Sequence, residues 1–233
     1  MTQSGSRGGR VRDARRARGA ILNAAEAVFA QHGFDGARIE AIAAVSGYNN
    51  GLLFRYFGDK LGLYTAVLKR ADEEMSDLLA RVFAPLREDE TITSDANRFR
   101  GFLRATFGAI FDYMIEHPHF MRILNWEQAE GVQTFAKMAS HFEPTDLARF
   151  EALFSQARTT GLVRPDLDVV VMVVLVAQLC WSAPAMLPLY QLALGGRDFS
   201  SATALTYLRE QVIALLITGV MCDPGDKQPK ESR

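Results

Sequence analysis

The chain has 233 residues, of which 48% are hydrophobic, so it holds ample apolar material for a buried core. Its two cysteines, Cys180 and Cys222, lie far apart, which excludes a disulfide-rich fold and favours a reducing compartment. The net charge of −1 hides an asymmetry: residues 1–70 carry 11 Lys/Arg and 5 Asp/Glu, whereas the remainder carries 15 and 22. A basic N-terminal part ahead of an acidic body fits a protein whose first residues contact nucleic acid.

The chain opens with a basic, glycine-rich stretch. Residues 1–12 contain no apolar run, so they predict a disordered arm rather than a signal peptide, and we expect a cytoplasmic protein. The arginines of this region either reach phosphates and the minor groove or lie on a solvated, frayed terminus. An amphipathic helix ending at His32–Gly33 is predicted by the stripe Ile21, Leu22, Ala25, Val28 and Phe29.

The segment Ile39–Lys60 predicts a helix-turn-helix. Gly47 suits a left-handed turn after the first short helix, and Asn49 is a good N-cap for the second. On that second helix Leu53 and Phe57 stand at i and i+4, so both pack back on the first helix. The outward side chains that suit base edges are Asn49, Asn50, Leu52 and Arg55. The hydrogen-bond donors that suit phosphates are Arg38, Tyr48, Tyr56 and Lys60. An ordinary helical hairpin with a solvated face is the alternative interpretation.

The rest of the sequence predicts helices only. A long helix over Lys60–Phe83 ends at Pro85, and Phe99–Met114 places apolar side chains at i, i+3 and i+4 over four turns. A further helix over Val132–Thr160 is expected to kink at Glu143–Pro144. Because strand signals are absent, we predict an all-α fold of about nine helices. An N-terminal three-helix helix-turn-helix domain is followed by a larger helical domain.

The last two apolar helices predict a subunit interface. Val169–Gly196 contains no charged residue, but Pro184 and Pro188 interrupt it, which favours a buried interface helix over a membrane span. The final helix, Ala202–Met221, has apolar residues at alternating steps of three and four, the spacing of helices packed side by side. The expected interface residues are Val169, Val173, Val176, Leu205, Leu208, Val212, Leu215 and Gly219.

No catalytic motif stands out, since GxSxG, a Walker loop and HExxH are all missing. We therefore expect no enzymatic activity and no cofactor. His117 and His119 flank a helix break, where histidines are more often caps or core residues than ligands, so no metal site is expected. The aromatic and methionine side chains of the body either line an apolar ligand pocket or fill the core. The candidate pocket residues are Phe107, Phe111, Met114, Trp126, Phe135, Met138, Phe154 and Trp181.

A set of residues in the N-terminal part carries a family resemblance: Ala27-Val28-Phe29, His32-Gly33-Phe34, Ile42-Ala43, Gly47, Gly51, the run Leu53–Phe57, Lys60 and Leu63. Over roughly residues 16–68 the chain resembles the DNA-binding domain of the TetR (tetracycline repressor-like) family of bacterial transcriptional regulators. It departs from that family where Arg38 replaces a usual Thr or Ser, where Phe54 replaces a tyrosine, and where Tyr48-Asn49 replaces Val-Ser. The resemblance implies a helical body that dimerises and binds a small effector, usually apolar or planar.

The predicted organisation is a basic arm over 1–12, a DNA-binding domain over 13–60, an effector-binding and dimerisation domain over 61–222, and a disordered tail over 223–233. The expected function is that of a homodimeric repressor that binds a palindromic DNA operator and is released by a small apolar or aromatic effector. One alternative is a DNA-bound structural or division-control protein without an effector. Another is an all-helical enzyme, which requires a convergent set of polar residues that the body does not show. No membrane partner is expected.

Overall fold

A computed structural model describes residues 5–137, 145–194 and 201–222. Within these ranges the chain forms α-helices, one 3₁₀ turn at Glu90–Thr93 and no β-strand, which confirms the all-α prediction. The helices are α1 (Gly5–Gly36), α2 (Ile39–Ser46), α3 (Asn50–Phe57), α4 (Lys60–Phe83), α5 (Pro85–Glu88), α6 (Ala96–Glu116), α7 (Pro118–Ala129), α8 (Gln133–Ala136), α9 (Thr145–Thr159), α10 (Val169–Leu194) and α11 (Ala202–Val220).

The helices fall into two compact units. The first comprises residues 5–75 and 117–137 of the described chain, and the second comprises the rest of it. Helix α4 therefore contributes to both units, and the middle segment that carries α7 and α8 belongs with the N-terminal helices. The functional division into a DNA-binding domain and an effector-binding domain stays a prediction.

The first unit is built around one hydrophobic cluster to which five helices contribute. The predicted stripe of α1 faces this cluster, because its apolar residues recur at helical spacing. The rings of Phe29 and Tyr64 meet edge to face with their centroids 4.8 Å apart. The largest buried contributors are Ile21 and Phe29 of α1, Ile42 of α2, Leu53 of α3, Leu63 and Tyr64 of α4, and Ile123 of α7.

The second unit packs α6 against α10 and α11, and α9 against α10. Helix α6 buries the predicted apolar face that includes Phe99, Phe102 and Phe107. The Phe83 ring lies edge to face with Phe102 and with Phe150, at centroid distances of 5.5 and 5.0 Å. Aromatic side chains at i, i+3 and i+4 therefore supply core packing in this unit.

The helix boundaries differ from the sequence prediction in two described places. Helix α1 begins at Gly5, ahead of the predicted end of the disordered arm at residue 12. The single helix predicted over Val132–Thr160 was wrong: α8 and α9 are separate helices there. Gly131 and Val132, with left-handed φ angles of 72° and 61°, separate α7 from α8, and α8 ends at Ala136. The predicted kink at Glu143–Pro144 and the predicted tail lie outside the described residues.

Candidate nucleic-acid interface

The α2–turn–α3 segment has the predicted helix-turn-helix geometry. Gly47 ends α2 with φ 75° and ψ 14°, and its N–H donates to the Ala43 carbonyl oxygen at 3.0 Å. Asn49 caps α3, because its Oδ1 accepts the N–H of Leu52 at 2.9 Å. The left-handed glycine and the side-chain cap let two short helices meet within a three-residue turn.

The outward face of α3 is formed by Gly51, Phe54 and Arg55, which lie within one 100° arc of the helix and are all exposed. Phe54 is 46% exposed, although most large apolar side chains of this unit are buried. Phe54 was not among the predicted base-contacting residues. Phe54 shares its arc of the helical wheel with Gly51 and Arg55, which lie opposite buried Leu53, and that placement is the signal that could have identified it.

Two of the four predicted base-contacting residues have other contacts in the chain, and a third is half-buried. Asn49 uses its side-chain oxygen as a cap, whereas its amide nitrogen is not part of that bond. Leu52 is half-buried and packs against the hydrophobic cluster, and Asn50 is also half-buried. Asn49 and Arg55 are the two exposed members of the predicted set.

The predicted phosphate-contacting residues border this face. Arg38 is exposed and stands at the N-cap position of α2 without making a side-chain capping bond. Tyr48 and Tyr56 are half-buried, and both rings pack against the hydrophobic cluster. A phenol ring packed in this way leaves its hydroxyl at the edge, where a phosphate oxygen can accept from it.

Lys60 is held in place by two contacts at the start of α4. Its Nζ donates to the Asp35 carbonyl oxygen at 3.1 Å and lies 4.8 Å from the centroid of the Phe34 ring. The Phe34 ring in turn meets Tyr64 edge to face at 5.1 Å. An ammonium group has three donors, so one bond to Asp35 leaves two for a phosphate.

The corner between α3 and α4 is tightly packed. Asp59 caps α4, since its Oδ1 accepts the Gly62 N–H at 2.7 Å. Gly62 approaches α3 so closely that a Cβ there would lie 2.0 Å from the Phe57 carbonyl oxygen. The guanidinium of Arg18 lies 5.5 Å from the centroid of the Phe57 ring and so links α1 to the end of α3.

Helix α7 packs on the C-terminal half of α1 at Gly33. This glycine has φ 67°, and a Cβ there would lie 3.1 Å from the Trp126 indole. The indole N–H donates to the Ala30 carbonyl oxygen at 3.3 Å. The non-helical φ and ψ of Gly33 divide α1 at the glycine where a helix end was predicted, and the resulting kink accommodates Trp126.

A buried carboxylate joins α7, α8 and α4. Glu127 is only 3% exposed, and its Oε1 accepts the Tyr64 hydroxyl at 2.6 Å. Its Oε2 accepts the Phe135 N–H at 2.9 Å. Burial, and after it the hydrogen bond to Glu127, raises the pKa of Tyr64 far above its ordinary value. Sequence analysis assigned no partner to Glu127, because its partner is 63 residues away and leaves no local pattern.

The predicted pocket residues do not form a single group. Trp126 and Phe135 belong to the first unit, and Met138 lies outside the described residues. In the second unit Met114 and Trp181 are half-buried, whereas the rings of Phe107, Phe111 and Phe154 are fully buried core side chains. A cavity of about 510 Å³ in that unit is lined by Ala80, Phe83, Leu86, Arg87, Asp89, Glu90, Thr93, Arg149, Ala152, Leu153 and Gln156. None of the predicted pocket residues lines it.

The predicted interface residues of α10 and α11 divide between buried and exposed positions. Val176 and Val212 are buried within the subunit, so they are not available to a partner. Val169, Val173, Leu205 and Leu208 are half-buried, whereas Leu215 and Gly219 are exposed. The exposed apolar side chains of α10 include Val170, Val171, Val174, Leu175, Met186, Leu189 and Leu192. Because α10 is apolar on all sides, its periodicity did not indicate which face is exposed.

Two further properties concern the described part of the chain. Helix α10 is the one described helix that is long and apolar enough to cross a membrane, with a mean hydropathy of 2.1 over Val169–Leu187. Length and composition alone do not distinguish such a span from an interface helix. Across residues 5–137, 145–194 and 201–222, no group of three His, Cys, Asp or Glu side chains is arranged to hold a metal ion.

Two family models match the chain. The model of bacterial regulatory proteins of the tetR family matches residues 21–67, and that of the tetracyclin repressor-like C-terminal domain matches residues 101–216. The chain is 27% identical over 183 residues to the transcriptional repressor NicS of Pseudomonas putida, covering 77% of this chain and 81% of NicS. It is 40% identical over 112 residues to the transcriptional activator FasR of Mycolicibacterium smegmatis, covering 48% of this chain and 45% of FasR.

A comparison with solved structures gives the same fold. The ketosteroid transcriptional regulator KstR2 of Mycobacterium tuberculosis superposes with a TM-score of 0.55 at 22% identity. The match covers 95% of this chain and 98% of the KstR2 chain.

Proposed function

Because the chain belongs to the TetR family of DNA-binding transcriptional regulators, we propose that it is a homodimeric, cytoplasmic repressor released by a small effector. The observation that carries the DNA-binding part is the geometry of α3. This helix is capped by Asn49, backed by the buried side chain of Leu53, and presents exposed Phe54 and Arg55 outward. A short, rigid helix with that outward face fits a major groove.

Each outward side chain is assigned a contact that suits its chemistry. The Arg55 guanidinium donates two hydrogen bonds to a guanine edge, and the Phe54 ring contacts a thymine methyl group. Asn50 lies beside them at the start of α3 and suits an adenine. Arg38 and Lys60, together with the hydroxyls of Tyr48 and Tyr56, fix the helix on the phosphate backbone.

The proposed dimer is supported by the exposed apolar faces of α10 and α11. Val174 and Leu175 of α10 are 60% and 53% exposed, and Leu215 of α11 is 63% exposed. Exposed apolar side chains repeated along two neighbouring helices indicate a partner surface. A dimer with two-fold symmetry presents two copies of α3, about one DNA turn or roughly 34–36 Å apart. Because the two copies are related by that symmetry, the operator is palindromic.

The proposed effector is a small apolar or aromatic molecule bound in the second unit. The 510 Å³ cavity is within the size range of small-molecule sites, and its floor is formed by buried Phe83 and Leu153. Arg87 and Gln156 at its rim offer hydrogen-bond donors that orient a ligand. Release from DNA requires the effector to bind the non-binding arrangement of the dimer more tightly than the binding one.

Selection of bound fragments from a random pool of duplex DNA tests the proposal. We expect a palindromic site, and we expect Arg55→Ala to weaken binding to it by about 1–3 kcal/mol while relaxing the preference at one base pair. Arg100→Ala, which removes an exposed arginine from α6, is the matched control and should leave binding unchanged.

Three results separate the parts of this proposal. Enrichment of no sequence at low salt would refute the DNA-binding function. If Arg55→Ala weakened binding to selected and random DNA equally, Arg55 would not contact a base. Thermal shift and operator release are then measured with a panel of small apolar and aromatic molecules. A protein that no small molecule releases would be a DNA-bound structural protein instead.

A further inference from the structure

The turn that follows α7 holds an unfavourable backbone conformation. Val132 has φ 61° and ψ 24°, and it is the one non-glycine residue with a positive φ in the described ranges. A β-branched side chain rarely adopts the left-handed region, because its Cβ crowds the backbone there. Such strain persists only where the surrounding structure imposes it, and it often marks a switch region.

Glu127 ties both ends of this turn. Its carbonyl oxygen accepts the Val132 N–H at 2.7 Å, and its side-chain Oε2 accepts the Phe135 N–H at 2.9 Å. Because Glu127 is buried, water does not compete for these bonds. The residue that holds the strained turn is therefore the same residue whose other oxygen binds Tyr64.

Tyr64 extends this set of contacts to the DNA-binding face. Its hydroxyl donates to Glu127 at 2.6 Å, and its ring meets Phe34 edge to face at 5.1 Å. The Phe34 ring also contacts Lys60, whose ammonium lies 4.8 Å from the ring centroid. Contacts thus run from the backbone N–H groups of the turn through Glu127, Tyr64 and Phe34 to Lys60, a candidate phosphate-binding group, all within the first unit.

We propose that Glu127 and Tyr64 are positioning residues for Lys60, and that the Gly131–Val132 turn is the strained element whose relaxation releases them. When the turn relaxes, the Phe135 N–H leaves Glu127, the carboxylate loses its orientation, and the Tyr64 hydroxyl loses its acceptor. A ligand that binds the relaxed turn more tightly then weakens DNA binding, and DNA weakens the binding of that ligand by the same factor. The inference rests on the proposed function, since it assigns Lys60 to a phosphate.

The salt dependence of operator binding by the full-length protein tests this inference. The slope of log K against log[KCl] falls by about one unit when one phosphate contact is lost. We expect Tyr64→Phe to weaken operator binding about tenfold and to lower the slope as Lys60→Ala does. Because both changes remove the same contact, their effects should not add in the double variant.

Three further variants separate positioning from general stability. Glu127→Gln keeps the side-chain size but offers one acceptor oxygen for two donors, so it should behave as Tyr64→Phe does. Val132→Gly relieves the backbone strain and keeps the hydrogen bonds of Glu127. It should therefore raise the melting temperature and retain full affinity for the operator. Val67→Ala, a cavity-forming change in the same helix, should lower the melting temperature without changing the slope.

The outcomes also separate this inference from the proposed function. A wild-type protein that binds no DNA overturns the proposed function. Specific binding by the wild type, with an unchanged affinity and slope in folded Tyr64→Phe, overturns the positioning role alone. A slope lowered equally by Val67→Ala overturns it too, because the slope would then report loosening of the whole unit. Weaker operator binding by Val132→Gly would overturn the claim that relaxation of the strained turn releases Glu127 and Tyr64.

Discussion

Replacing Gly62 by alanine tests how tightly the corner between α3 and α4 is packed. A Cβ at this position would lie 2.0 Å from the Phe57 carbonyl oxygen, whereas real Cβ atoms essentially never come within 3.0 Å of such an atom. The corner must therefore open by about 1 Å. Because the obstacle is backbone, no side chain can rotate away, and overpacking of this kind costs about 1–3 kcal/mol. For a chain of this size each kcal/mol lowers the melting temperature by about 2–4 °C.

The same shift should affect DNA binding, because Phe57 ends the helix that carries Arg55. We expect Gly62→Ala to melt at a lower temperature in circular dichroism and to bind the selected operator at least tenfold less tightly, about 1.4 kcal/mol. Gly101→Ala is the matched control: Gly101 is helical and exposed and has no atom near its missing Cβ, so alanine should stabilise by about 0.5–1 kcal/mol. If Gly62→Ala were as stable as the control and bound DNA normally, the argument from close approach would be refuted.

Three other experiments test the proposed dimer interface, the two thiols and the buried phenol of Tyr64. Leu215→Glu should give monomers in sedimentation with weak operator binding, whereas Val212→Glu should unfold the subunit, because only the first side chain is exposed; a dimeric Leu215→Glu would contradict the interface. Burial raises the pKa of Cys180 to about 12, so a thiol reagent at pH 8 should label Cys222 quickly and Cys180 only after unfolding. Because the pKa of Tyr64 is raised in the folded state, its contribution to stability is complete below pH 10, near the ordinary pKa of tyrosine, and is lost at higher pH. Alkaline unfolding should therefore be less steep in Tyr64→Phe, and equal slopes would contradict the assignment.

Local signals in the sequence predicted the helix-turn-helix well. A glycine turn and a capping asparagine act within four residues of themselves, and both Gly47 and Asn49 take the predicted geometry. Helix α4 has the predicted bounds, because a corner precedes Lys60 and a proline follows Phe83 closely. Features of this kind depend on neighbours in the chain and not on the tertiary fold.

Features that depend on distant residues were not predictable from the sequence. The partner of Glu127 and the packing of Trp126 on Gly33 join parts of the chain more than 60 residues apart. The face of α10 that meets solvent was also missed, since a helix that is apolar all round has no periodicity to indicate it. Of the residues on α10, the expected interface residue Val176 is buried within the subunit, whereas Val174, which was not in the predicted set, is exposed.

The chain returns to its first unit after leaving it, and this limits how the protein can be divided. A fragment that stops at Met75 would lack Ile123 from the hydrophobic cluster and would leave the groove beside Gly33 without its indole. The first unit is thus not a continuous N-terminal segment of the chain. A chimaera that fuses the first unit to the C-terminal domain of another protein must also carry residues 117–137, because its hydrophobic cluster is otherwise incomplete.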